Sequence, residues 1–127
     1  MPRNIAMLAG RILLAQIFVI AGIDKILAYH GTAQYMAAFG VPPIPLPLVI
    51  LLEVGGGAAL VLGWQTRWVA LALSAFSIVT AIIFHHDIAN GMQKILLMGD
   101  LSFAGGLLVV GVVGAGRISL DGMARRD

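Results

Sequence analysis

The sequence predicts an all-α integral membrane protein, a four-helix bundle built from a single domain spanning residues 1–127. Three observations carry this. Sixty per cent of the residues are hydrophobic and only 11% are charged, with a mean hydropathy of +0.98; a soluble chain this short needs far more polar surface. Four apolar runs each approach the ~20 residues that cross a bilayer as a helix. Proline and polar clusters fall between those runs, while most of the 16 glycines sit among the aliphatic residues. Open strands cannot cross lipid, and the runs are too long and too little alternating for barrel strands.

The first predicted span runs from about Ile5 to Leu27 and is interrupted by Arg11, Gln16 and Asp24-Lys25. Those interruptions, and the lack of a clear small-x-small cleavage site, argue for a retained span rather than a signal peptide. Arg11 lies about 9 Å in from the start of this span, a depth from which an arginine reaches lipid headgroups by snorkelling. The first connection is the longest, bounded by His30-Gly31-Thr32, Gly40-Val41-Pro42-Pro43, Pro45 and Pro47. Within it, Thr32–Phe39 is expected to form a short interfacial helix with Tyr35 and Phe39 on one side.

The second predicted span, Leu46 to Gly63, carries one charge, Glu53. Gly55, Ala59 and Gly63 recur every four residues on it, a small-residue stripe that allows close helix packing. Trp64-Gln65-Thr66-Arg67 makes a tight connection to the third span, Trp68 to Phe84, which is free of charge. His85–Gln93 joins it to the fourth, from about residue 96 to Ala115. On that span Asp100, Ala104, Leu107, Gly111 and Gly114 repeat at four-three spacing, and Gly106 joins Gly111 as a packing candidate. "LLEVGGGAALVLG" and "MGDLSFAGGLLVVG" each set an acid before a glycine pair, a faint echo of a duplicated helix hairpin with parallel repeats.

Orientation follows the Lys/Arg bias near span ends. Arg3, Arg67, Arg117, Arg125 and Arg126 lie on the side of the N-terminus, against Lys25 and Lys94 on the other. Both termini are therefore expected in the cytoplasm. The net charge is only +2 and no basic stripe precedes Arg125-Arg126, so nucleic acid is not an expected partner. Cysteine is absent, which excludes a disulfide framework, a thiol nucleophile and cysteine-held metals or clusters. His85 and His86 point about 100° apart on a regular helix, so no histidine metal site is expected.

Four ionisable groups converge in the outer half of the predicted bundle: Lys25, Glu53, His85 and Asp100. Ionisable groups in spans are costly and mark functional sites by default. A carboxylate at the depth of Glu53 pairs, binds a cation or takes up a proton, and Lys25 is its natural partner. The group reads as a polar pocket for a ligand or a proton, or as a structural clasp between helices.

The order of "GRILLAQIFVIAGIDKIL", "YMAAFGVPPIPLP", "LLEVGGGAALVLGWQTRWVALAL", "IIFHH" and "GDLSFAGGLLVVGVVGAGRISLD" resembles the DoxX family of small four-helix bacterial membrane proteins over nearly the whole chain. The resemblance marks Gly10-Arg11, Gly22, Lys25, Tyr35, Gly40, Pro42, Glu53, Gly56, Gly57, Thr66-Arg67, His85 and the closing Gly116-Arg117…Ser119-Leu120-Asp121. Ala21, Gly99 before Asp100 and a short loop after His85 depart from the family pattern. The resemblance implies a bacterial inner-membrane location and an association with quinone-linked oxidoreductases, as an accessory or quinone-interacting subunit. On that reading quinone is the ligand, with no intrinsic cofactor. The partners are lipid, membrane redox proteins and further copies of the chain. A structural or assembly protein without its own activity, and a small transporter using the same pocket, remain open alternatives.

Overall fold

The computed structural model describes residues 2–42, 44–85 and 87–126, with Arg125 and Arg126 described in backbone alone. Pro43 and His86, singled out in the sequence, lie outside the described residues, as do the side chains of Arg125 and Arg126. Among the described residues six helices follow one another: α1 Pro2–Leu27, α2 Tyr29–Ala38, α3 Leu46–Leu62, α4 Thr66–Phe84, α5 Gly91–Val113 and α6 Leu120–Arg126. No strand occurs among the described residues. α1, α4 and α5 are long and apolar enough to cross a membrane, and α3 is a shorter apolar helix of 17 residues, about 25 Å long.

The helices form a ring in which α1 packs mainly on α3 and α4 mainly on α5, with α3 against α4 and a thinner seam between α1 and α5 closing it. Its core gathers Ala15 and Phe18 of α1, Leu60 of α3, Ala70 and Leu73 of α4 and Leu107 of α5. The remaining side chains are mostly apolar and outward-facing, such as Leu13 at 65% and Val112 at 74% exposure. An apolar exterior over an apolar core suits a hydrocarbon solvent rather than water.

Small residues decide how closely the helices approach. α4 buries Ala70, Ser74, Ser77 and Ala81, and α5 buries Ala104, Leu107 and Gly111. Across this seam Ser74 Oγ donates to the Ala104 carbonyl at 2.9 Å. On α3 the close contacts fall beside the expected stripe. A Cβ on Gly57 would lie 2.5 Å from Val19 of α1, and one on Gly56 would lie 3.3 Å from Leu73 of α4. A Cβ on Gly55 would meet only Leu51 of its own helix, at 3.9 Å. The four-residue count from Gly55 ignored that α3 has two neighbours. Gly56 and Gly57, about 100° apart, serve one each, and Gly55 faces outward. Ala59 is buried. Gly63 is not in the helix but caps it at φ +72°, a left-handed turn that glycine adopts without cost. Gly106 approaches Leu14 of α1 and Gly111 approaches Leu71 of α4, with Cβ positions 3.2 and 3.0 Å from those side chains.

The starts of α2 and α5 lie upstream of the sequence reading, and smaller offsets appear elsewhere: α1 starts at Pro2, α4 at Thr66, and α5 ends at Val113. α2 begins at Tyr29, so His30-Gly31-Thr32 lies within it and the break is confined to Ala28; Thr32 Oγ1 donates back to the Ala28 carbonyl at 2.9 Å. α5 begins at Gly91 rather than near residue 96. The Asn90 side chain accepts from the backbone N–H groups of Met92 and Gln93 at 3.0 and 3.2 Å, an N-cap that starts the helix earlier than its apolar run.

Candidate functional site

Lys25 sits in the last turn of α1 and Glu53 in the middle of α3. Gly22, one turn before Lys25, brings them together: a Cβ there would lie 2.5 Å from Val54 Cγ2 and 3.2 Å from Glu53 Cβ. With that space clear, Lys25 Nζ comes within 2.7 Å of Glu53 Oε1. The carboxylate side chain is 4% exposed and the lysine 26%, so the pair reaches from the interior of the bundle toward its rim.

His85 ends α4. Its Nε2 lies 3.6 Å from Asp100 Oδ2 on α5, and its Nδ1 lies 3.4 Å from Gln93 Oε1. The contact with Asp100 is an ion pair when the imidazole is protonated. Each tight helix pair thus joins a base at the end of its first helix to an acid inside its second, Lys25 to Glu53 and His85 to Asp100.

Lys25, Glu53 and His85 line one cavity of about 220 Å³. Thr32 and Tyr35 of α2 and Thr80 of α4 add hydroxyls to it, and Met36, Leu46, Val49, Phe76 and Phe84 form its apolar walls. Asp100 does not reach the cavity; it stands behind His85. Four expected residues therefore become three lining groups and one partner. The aromatic side of α2 closes over them. Tyr35 stacks on Phe84 with ring centres 5.5 Å apart, and Phe39 meets Tyr35 at 4.9 Å and Phe84 at 5.0 Å. Among the described residues no group of three or more acids and histidines could hold a metal ion.

The opposite end of the bundle holds a residue whose role composition did not reveal. Arg11 is 2% exposed and does not snorkel. Its Nη1 donates to the carbonyls of Leu60 at 2.8 Å and Val61 at 3.0 Å, and its Nη2 donates to the Ile118 carbonyl. The cause is the length of α3. It stops at Leu62, about 5 Å short of a 30 Å hydrocarbon layer, and its last carbonyls need a donor. Asp121 completes the end: its carboxylate accepts from Gln65 N and Thr66 N, each at 2.9 Å, and its own N–H donates to the Gly63 carbonyl at 2.9 Å. The signals in the sequence were an arginine inside a span and a second span ended early by Gly63.

A family model described as DoxX matches residues 6–86. The chain is similar to inner membrane protein YqjF of Escherichia coli (strain K12), 44% identical over 118 residues, which is 93% of this chain and 91% of that one. It is 36% identical to inner membrane protein YphA of the same organism over 126 residues, 94% and 90% of the two chains. CatD of Bacillus subtilis (strain 168), a protein named provisionally as an oxidoreductase, is 30% identical over 80 residues, 63% of this chain and 59% of its own. No solved structure matches the chain significantly.

Proposed function

The chain belongs to the DoxX family of membrane proteins, and we propose that it serves as an accessory, quinone-interacting subunit of a redox complex in the bacterial inner membrane. The observation that carries the reading is the cavity in which Lys25, Glu53 and His85 meet aromatic and aliphatic walls. Binding sites are apolar clefts with a few convergent polar groups. At about 220 Å³ this one is below the usual range for a whole ligand, and suits a single ring whose tail stays in lipid. The likeness to CatD, provisionally named an oxidoreductase, agrees with a redox setting.

On this reading each residue has a stated part. The Lys25 ammonium has three donors and no acceptor, so it holds the Glu53 carboxylate and keeps N–H groups for a quinone carbonyl. Glu53 is the group that takes or returns a proton at that end of the ring. His85, whose ring nitrogens are turned to Asp100 and Gln93, borders the far side of the ring and adds positive charge there when protonated. Phe84 and Tyr35 offer aromatic faces for stacking. The chain's positive side, with both termini, faces the cytoplasm, and the cavity opens toward the outer leaflet.

A structural reading competes, favoured by the fact that Lys25 and Glu53 already satisfy one another's charge. Mass spectrometry of protein purified in mild detergent separates the two. A redox-linked subunit carries quinone, or redox proteins, in stoichiometric amount. Recovery with lipid alone favours the clasp.

A further inference from the structure

We propose that two copies of this chain associate side by side through the lipid-facing side of α1, with the carboxamide of Gln16 hydrogen-bonded to that of its symmetry mate. Gln16 lies 14 residues from the start of α1 and 11 from its end, about 21 and 17 Å along the axis, and so near the middle of the hydrocarbon layer. It is exposed, and among the described residues its carboxamide has no hydrogen-bond partner. Ser102, another exposed polar group deep in a span, satisfies itself by donating to the Met98 carbonyl of its own helix at 2.8 Å. Lipid tails offer Gln16 nothing comparable, and an unpaired amide in hydrocarbon is costly.

The occupant follows from the charge pattern of the carboxamide. Its N–H₂ edge is partially positive and its carbonyl partially negative, so it is complementary to its own copy across a two-fold axis. Isologous contact is the commonest interface between identical chains. Gln16 lies on the edge of a groove of about 400 Å³ whose other walls are Leu13, Leu14, Ile17, Ile20 and Phe103. It marks the thin seam between α1 and α5, and an aliphatic side chain from the second copy fills it. Toward the start of the helix Ala6 is exposed, and a Cβ on Gly10 would meet nothing within 4 Å. This small-xxx-small pair leaves room for a second backbone to approach.

The natural absence of cysteine makes the test direct. Leu13→Cys places a thiol on this side of α1, and Ala75→Cys places one on the exposed side of α4, diagonally across the ring. Each is oxidised in native membrane vesicles at low expression. The expected result is a covalent dimer from Leu13→Cys and little from Ala75→Cys. Adding Gln16→Leu to Leu13→Cys should cut the dimer yield about tenfold, the scale of interhelical hydrogen bonds in a bilayer. Gln16→Asn, which keeps the carboxamide, should retain more dimer than Gln16→Leu. Equal yields from the two cysteine positions, no dimer from either, or a yield indifferent to Gln16→Leu would overturn the proposal and leave lipid as the occupant of the groove.

Discussion

Lys25 Nζ lies 2.7 Å from Glu53 Oε1, joining the last turn of α1 to the middle of α3. The two residues are not equivalent. The glutamate is enclosed, whereas the lysine retains a route to the rim. Lys25→Met therefore strands a buried carboxylate and should lower stability in detergent by about 2 kcal/mol, between the values for exposed and fully buried pairs. Glu53→Gln leaves a lysine able to snorkel outward, and should cost less. Combining the two should restore much of the loss, as a double-mutant cycle from thermal melts would show. Strictly additive losses would mean that the residues do not interact.

Arg11 should prove more important to the fold than either residue of the Lys25–Glu53 pair. Arg11→Met leaves the carbonyls of Leu60, Val61 and Ile118 without their donor, a loss of about 3–5 kcal/mol by comparison with buried charged networks. Arg11→Lys should recover only part, because a single ammonium cannot reproduce the planar fork of the guanidinium. An unchanged melting temperature for Arg11→Met would restore the snorkelling picture.

Adjacent glycines on α3 should respond in opposite senses. Gly57→Ala sets a methyl against Val19 and the Ala15 carbonyl and should destabilise the α1–α3 pair by about 1–3 kcal/mol. Gly55→Ala makes only an ordinary contact with Leu51 of its own helix, at 3.9 Å, and should be neutral or stabilising by up to about 1 kcal/mol, through helix propensity. Thermal melts of the two variants decide it; equal effects would contradict the packing described.

The start of α1 and the segment that follows α5 lie at one end of the bundle, where Gly116 approaches Met7. Reporter fusions at the C-terminus and in the loop around Ile88 should therefore fall on opposite sides of the membrane, with the C-terminus cytoplasmic. A periplasmic C-terminus would reverse the assignment of the cavity to the outer leaflet.

The architecture was legible because hydrocarbon solvent imposes length and composition directly: α1 and α4 end where their apolar runs end, at Leu27 and Phe84. The start of α5 was obscured because Asn90 caps the helix before the apolar run begins. Asn90 followed three residues later by Gln93 is a polar start signal that hydropathy does not register. The Gly55 stripe misled because spacing along one helix carries no record of how many neighbours that helix has. At the site, depth along the spans groups Lys25, Glu53, His85 and Asp100. Depth alone could not separate Asp100, which lies behind His85 rather than beside the cavity. Arg11 escaped because its partners are backbone carbonyls, which every sequence contains and none advertises.

The most direct test of the quinone reading is a thermal-shift titration of the lipid-replete protein with short-chain quinones. The account predicts a melting temperature that rises with ligand concentration, as for any ligand bound by the folded state alone. The rise should be absent in Glu53→Gln that is otherwise folded, and unchanged in Trp68→Phe, whose exposed ring lies near the start of α4, at the end of that helix away from His85. A flat melting temperature in the wild type, or an equal rise in Glu53→Gln, would contradict the account and leave Lys25 and Glu53 as a clasp between helices.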